Sequence, residues 1–255
     1  METSVKEGKY IYCIIESSQA QTFGPLGIGG RADEVYTICF NDIAAVVSDS
    51  PVISYSVSKE NMLVHERTIE EIMKKYTVLP VRFDTIAEDK DKVKKILERE
   101  HDKFVNLLKD IEGKKELGLK AIFKEKIIYK DILERYEDVR ILKEKIALLS
   151  PESRYYQRME IGRMVEASLQ NEREIYKKKM LDSLIPLAED TKINITYGEL
   201  MIFNAAFFVK EDKEPEFDQK VEELNTKFGD KIKFKYAGTL APFNFVNLVI
   251  EIGKH

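Results

Sequence analysis

The chain has 255 residues, 44% of them hydrophobic and 10% aromatic, which is enough apolar material to fold and enough length for one large or two ordinary domains. Its 41 basic and 45 acidic residues are mixed along the chain and leave a net charge of −4, which argues against a nucleic-acid partner, since phosphate contacts need a basic surface. No window reaches the roughly 18 apolar residues of a membrane-spanning helix, and the opening METSVKEGKY lacks the apolar centre of a signal peptide, so the expectation is no membrane partner and a cytoplasmic location.

The first apolar, β-branched run is Lys9 to Ile15. Glu34 to Phe40 and Ile43 to Asp49 flank Asn41-Asp42, a tight-turn signal that predicts a β-hairpin. Ser58 is placed to cap a helix whose apolar residues Met62, Ile69, Ile72, Met73 and Tyr76 share one face. Val78 to Ile86 reads as a strand, with Pro80 marking an edge or a bulge. Glu88 to about Asp110 reads as one amphipathic helix, acidic at its start and ended by Gly113. Leu117, Leu119, Ala121 and Phe123 alternate as in a strand and close a first domain of residues 1–123.

The second domain, 124–255, opens with two long helices, Ile127 to Leu149 and Ser153 to about Leu184, separated at Ser150-Pro151 and expected to pack as a hairpin. Strands follow at Ile193 to Tyr197 and Leu200 to Val209, then a helix from Glu214 to Phe228 with Gly229 as its cap. Lys231 to Tyr236 alternates strictly, and Phe245 to Ile250 is read as a last strand, giving a β-β-α-β-β unit. The class is therefore α+β: two domains, each a small antiparallel or mixed sheet covered by helices.

Chemistry-bearing patterns are sparse. Gly24, Gly27, Gly29 and Gly30 lie in GPLGIGG, but no strand leads directly into the segment, no helix follows it, and Arg31-Ala32 stand where a phosphate loop needs Lys and a hydroxyl. A turn using glycine's access to positive φ fits better. Cys13 and Cys39 lie in strand-like stretches without a CxxC pair and read as buried thiols. The histidines His65, His101 and His255 have no metal-ligand spacing, and His65 falls near the apolar face of its helix. No nucleophile motif or acid/base pair stands out. No catalytic residue, metal or cofactor is expected.

Two features favour binding. Lys231, Lys233 and Lys235 alternate with Ile232, Phe234 and Tyr236, so the strand has a cationic face that either contacts a partner or guards a sheet edge. Phe203, Phe207, Phe208, Phe217, Phe228, Phe234, Phe243 and Phe245 crowd the C-terminal part, where any ring left outside the core would form an apolar contact patch.

In order, KYIYCII, GPLGIGG, AAVVSD, LVHERTIEEIM and TVLPVRFDT, then ESRYYQRMEIGRMVE, ELMIFNAAFFV and AGTLAPFNFV resemble the gas vesicle protein F/L family from about Tyr10 to Val249. Two departures are visible: Asp84 stands where the family's RFGT motif has glycine, and Thr239-Leu240-Ala241 replaces a Trp- and Pro-rich stretch. The F and L branches are not separated by these motifs.

The resemblance implies two α+β domains with a ferredoxin-like theme and added helices. It also implies a non-enzymatic accessory role in gas vesicle assembly, in the cytoplasm or on the vesicle, with the main shell protein and other accessory proteins as partners. A shell protein with an apolar face is aggregation-prone before assembly, so shielding that face in a groove or by strand pairing is the expected mechanism. The candidate contacts are Phe203, Phe207, Pro242, Phe243 and Phe245, with Arg82 as a charge anchor near the glycine loop. The alternative is a small-molecule-binding or enzymatic α+β protein that shares the fold.

Overall fold

The computed structural model describes residues 6–149, 154–246, 248 and 250. The chain forms two compact units, one from residues up to Glu116 together with those from Thr239 onward, the other from Leu117 to Gly238. The boundary expected after Phe123 differs in two respects. The division falls inside the strand that ends at Phe123, and the C-terminal stretch joins the first unit.

The first unit is built on a mostly antiparallel sheet in the order β2-β3-β4-β1-β5, with β6 also paired to β1. Its strands are β1 (Glu7–Glu16), β2 (Thr22–Gly24), β3 (Val35–Phe40), β4 (Ile43–Pro51), β5 (Val78–Pro80) and β6 (Ile86–Ala87). The β3–β4 hairpin forms at Asn41-Asp42 as expected, with Asn41 at φ 51°, a left-handed conformation that Asn tolerates. Helix α1 (Lys59–Met73) is capped by Ser58, whose side chain accepts from the Asn61 N–H. Its Ile69 and Ile72 pack with Tyr10, Tyr12, Val46 and Val78 on one sheet face. Helices α2 (Lys90–Arg99) and α3 (His101–Ile111) pack against β1, β3, β4 and β5 through Val93, Ile96, Leu97, Phe104 and Leu108, outside that cluster.

Three expectations for this unit need correction. The strand expected over Val78 to Ile86 is two short strands, because the chain between them swings through Asp84 at φ 66°. The single helix expected over Glu88 to Asp110 breaks at Glu100, whose φ −102° and ψ 10° leave the helical region. The stretch from Phe245 lies in no strand at its described residues: the Phe245 and Val246 N–H groups both donate back to the Pro242 carbonyl, closing a turn. Asn247 and Val249 fall outside the described residues.

The second unit carries a sheet in the order β10-β7-β9-β8, made of β7 (Lys114–Phe123), β8 (Asp190–Asn194), β9 (Met201–Lys210) and β10 (Ile232–Leu240). Helices α4 (Glu125–Arg135), α5 (Glu137–Leu148), α6 (Arg154–Leu184) and α7 (Glu214–Phe228) cover it. Its core joins Leu117, Leu119 and Phe123 of β7 to Ile128, Met180, Phe203, Phe207, Phe217 and Ile232.

The expected helix from Ile127 to Leu149 is instead α4 and α5, parted at Tyr136, which takes extended angles and donates its hydroxyl to the carboxylate of Glu172. Arg135 reaches the same carboxylate at 3.1 Å, so a 3% exposed Glu172 is paired, as burial of a charge requires. The break at Ser150-Pro151 and the helix start at Ser153 lie outside the described residues. Gly229 caps α7 at φ −61°, without the left-handed conformation that usually favours glycine there. Its Cα hydrogen faces the Asn225 carbonyl, where a Cβ would sit at 2.4 Å.

Candidate functional site

The site is organised from β1. Strand β1 carries one extra residue against β4, so that Ile11 opposes Val47 while Cys13 opposes Val46. Such a bulge flips the alternation of side chains, which puts Tyr10 and Tyr12 on the α1 side together with Cys13 and Ile15. The two tyrosine rings lie 4.9 Å apart and are fully buried.

Each buried hydroxyl has defined partners, as a polar group without water requires. The Val81 carbonyl can only accept, so the His65 Nε2–H donates to it across 3.2 Å, and Nδ1 accepts the Tyr10 hydroxyl at 3.0 Å. Tyr10 in turn accepts from the Asp84 N–H at 3.1 Å. His65 is 1% exposed, and burial pulls its pKa down to about 4, so the ring is neutral. With both nitrogens engaged and its ring stacked on Tyr12 at 5.8 Å, His65 is a core strut rather than a proton carrier.

The glycine-rich loop is tied to the same cluster. Tyr12 accepts from the Ile28 N–H and shares a hydrogen bond with Ser48, while burial pushes its pKa up to about 12. Gly27 donates to the Asp33 carbonyl, and Thr68 donates to the Leu26 carbonyl. Gly29 sits at φ +80° against the ring of Tyr55, where a Cβ would lie 2.8 Å from Cε1. The Gly27 and Ile28 amides are thus spent on the protein itself, and the loop is a docked turn rather than a phosphate cradle.

Asp84 takes the left-handed φ of 66° that glycine would adopt in the RFGT pattern. Asp is one of the few residues that visits this region at modest cost. Its carboxylate accepts from the Tyr55 N–H at 2.8 Å and from the Ser54 hydroxyl at 2.5 Å, which glycine would not do. The Asp84 side chain therefore anchors the 54–55 loop from a left-handed backbone position.

These elements frame a cleft of about 1000 Å³ lined by Met62, His65, Phe83, Leu240, Ala241 and Phe243, with Glu66, Glu70 and Arg82 among its polar residues. Phe243 is 41% exposed, with its ring centroid 6.2 Å from that of His65. The turn that carries it is held from below by Glu116, a 3% exposed carboxylate that accepts from the Asn244 N–H at 2.9 Å and from Asn244 Nδ2 at 2.6 Å. Burial raises the Glu116 pKa above the usual carboxylate range. Glu66 is also raised, by burial first and by the neighbouring Glu70 second.

The residues expected to contact a partner divide. Phe243 stands out of the surface at the cleft, Phe245 is half-buried beside it, and Pro242 is buried beneath them. Phe203 and Phe207 have no exposed surface: both belong to the core of the second unit, where Phe207 packs 5.0 Å from Phe217, so neither offers a face to a partner in this conformation. Arg82 is exposed and lines the cleft; among the described residues its guanidinium has no hydrogen-bond partner, so it anchors no charge-assisted bond to the glycine loop. Glu116 is a positioning residue that sequence reasoning passed over, and Asp84, noted there only as standing in place of a glycine, is a second. Asp84 alone carried a signal, as the replacement of a glycine.

Cys13 is fully buried, with its thiol pKa raised by burial, and Cys39 is half-buried; both are free. Among the described residues, no group of three or more His, Cys, Asp or Glu side chains is gathered for a metal, and no helix is long and apolar enough to cross a membrane.

Residues 8–247 match the family model described as gas vesicle synthesis protein GvpL/GvpF. Gas vesicle protein F of Dolichospermum flosaquae is 25% identical over 94% of this chain and 97% of its own length. Gas vesicle protein L1 of Halobacterium salinarum is 21% identical over 99% and 94%. Among solved structures, the crystal structure of GvpF from Anabaena sp. PCC7120 superposes with a TM-score of 0.77 at 23% identity, covering 95% of this chain and 99% of that one, so the fold is shared.

Proposed function

The chain belongs to the GvpL/GvpF family of gas vesicle synthesis proteins and so has an accessory role in gas vesicles, and from that premise we propose that it holds the main shell protein during assembly, shielding an apolar face of that protein at the cleft beside Phe243. The observation that carries the reading is the presentation of Phe243. An aromatic ring that could have joined the core is instead held 41% exposed on a turn fixed by a buried carboxylate, above an apolar cleft. Aromatic rings held partly exposed beside an apolar cleft are the side chains that most often anchor an interaction.

Met62, Phe83 and Leu240 supply apolar lining around the ring, while Glu66, Glu70 and Arg82 supply polar groups that would stay wetted at the rim. The partner surface that fits is apolar at its centre and polar at its edge. A cleft of this composition can hold a chain that would otherwise self-associate, and release it when a larger apolar surface, the growing shell, competes for the same face. Other gas vesicle accessory proteins are the remaining partners of this reading, and the place of action is the assembling vesicle.

The test is co-expression with the shell protein followed by affinity capture of this chain. Soluble shell protein in the eluate, lost when Phe243 and Phe245 are both changed to Ala, supports the reading. Equal recovery with the double variant overturns the assignment of the cleft. No capture from an extract in which both proteins are folded overturns the shell protein as partner.

A further inference from the structure

Gly162 lies inside helix α6, exposed, and no side chain or other element comes within 4 Å of where its Cβ would be. Glycine inside a helix lowers stability relative to alanine, so it is expected only where a turn or a close approach requires it. Among the described residues, nothing makes use of the missing side chain.

The same glycine lines a groove of about 1140 Å³ formed within the second unit, chiefly by α4, α5 and α6. Arg158, four residues before Gly162, and Val165, Glu166 and Leu169, three, four and seven after it, line the groove too, so Gly162 sits at the centre of one helical face. Tyr129 and Leu133 of α4 face it as well, half-buried against the core. Tyr155 and Met159, seven and three residues before Gly162, extend that face of α6 and are 66% and 46% exposed. The charges are unbalanced, with Lys143, Arg158, Arg163 and Arg173 against Glu166 and Glu199. Arg173 donates to Gln170 at 3.1 Å and to Thr196 at 3.4 Å, whereas Lys143, Arg158 and Arg163 make no hydrogen bond or ion pair among the described residues.

We infer that this groove receives one α-helix of a partner protein, apolar along the stripe that enters the groove and bordered by carboxylates. The distance between packed helices is set by the side chains at their contact, and a glycine there lets the partner's backbone come close. Tyr129, Leu133, Val165 and Met159 meet the apolar stripe, and the bordering carboxylates reach Lys143, Arg158 and Arg163, which this chain leaves unpaired. At 1.5 Å per residue the face from Arg158 to Arg173 runs about 22 Å, so about four turns of the partner helix are engaged. A second copy seated by the same face would double the positive excess instead of neutralising it. The groove shares no residue with the cleft beside Phe243, so either assignment can fail without the other.

The probes are two labelled synthetic helices of about five turns with the same leucine stripe, one bordered by Glu and the other by Lys. Fluorescence anisotropy with the full chain is expected to show the Glu-bordered helix bound about tenfold or more tightly than the other, the difference shrinking as salt is added. Gly162→Leu fills the floor of the groove and is expected to weaken binding about tenfold or more, while its melting temperature stays level or rises because Leu is the better helix former. Arg158→Glu combined with Arg163→Glu is expected to reverse the preference between the two probes. Equal binding of the probes, failure of both to bind, or unchanged binding by Gly162→Leu overturns the proposal. A lower melting temperature for Gly162→Ala also overturns it, because the glycine would then serve the fold itself. Sedimentation of the parent chain covers the remaining occupant: a concentration-dependent dimer lost in Gly162→Leu gives the groove to a second copy and overturns the partner helix.

Discussion

Glu116 and Asn244, 128 residues apart in the chain, are joined by two hydrogen bonds, from the Asn244 N–H at 2.9 Å and from its side-chain amide at 2.6 Å. Because burial raises the Glu116 pKa, the folded state holds a proton there more tightly than the unfolded chain does. Stability at this group is greatest when pH lies below the unfolded carboxylate value of about 4.5 and falls as pH rises through the raised folded value. Glu116→Gln is expected to remove that decline, measured as the midpoint of urea unfolding on either side of the window. Its amide would also face the Asn244 N–H with a donor in one orientation, so the Phe243 turn should exchange its amides faster.

His65 gives the opposite pH dependence. Its folded pKa lies near 4, against 6.5 when unfolded, so the unfolded state binds the proton more tightly between those values. Stability is therefore full above pH 6.5 and falls as pH drops toward 4. The fall amounts to on the order of 3 kcal/mol at about 1.4 kcal/mol per pKa unit. His65→Leu is expected to flatten this limb of the stability curve while lowering stability at neutral pH, since the Tyr10 hydroxyl loses its acceptor. Denaturant melts across that range read both effects.

Asp84 separates backbone conformation from anchoring. Asp84→Asn keeps a residue that tolerates φ 66° and an oxygen for the Tyr55 N–H, so it is expected to cost least. Asp84→Gly relieves the backbone but leaves that N–H without the carboxylate, and Asp84→Ala loses the anchor and adds about 1 kcal/mol of left-handed strain. The expected order of stability is Asn, then Gly, then Ala, with Ala about 1–3 kcal/mol below the parent. Chemical denaturation of the three variants checks the order.

The aromatic residues give a direct contrast. Phe207→Ala empties a fully buried site and is expected to cost about 3–5 kcal/mol. Phe243→Ala, at a ring 41% exposed, is expected to cost about 1 kcal/mol or less. Thermal melts measure the first difference, and recovery of soluble shell protein measures whether Phe243 matters beyond stability.

Local signals in the sequence matched local structure. The Asn41-Asp42 hairpin, the Ser58 cap and the alternation from Leu117 to Phe123 each report on a few neighbouring residues, and each formed as expected. Periodicity continued straight through Glu100 and Tyr136, because a one-residue kink does not disturb an apolar stripe. What turns the chain at Tyr136 is a bond to Glu172, 36 residues away, and no local pattern encodes it. The same holds for the site. Phe203, Phe207 and Phe243 are alike as letters: the first two are buried on β9 in the core of the second unit, whereas Phe243 sits exposed on a turn held by a buried carboxylate, Glu116, lying in an ordinary-looking KKELGL. Membership of the family was legible because several short motifs fall in family order along the chain.

The Glu116–Asn244 pair also sets a schedule for synthesis. The first unit takes residues from both sides of the second, so when a ribosome has completed β1 to β6 and α1 to α3, the carboxylate of Glu116 still has no Asn244 to receive. The whole of Leu117 to Gly238 must emerge before the turn bearing Phe243 can be seated. A nascent chain thus shows no finished cleft, and a product ending before Thr239 would lack the turn that carries Phe243.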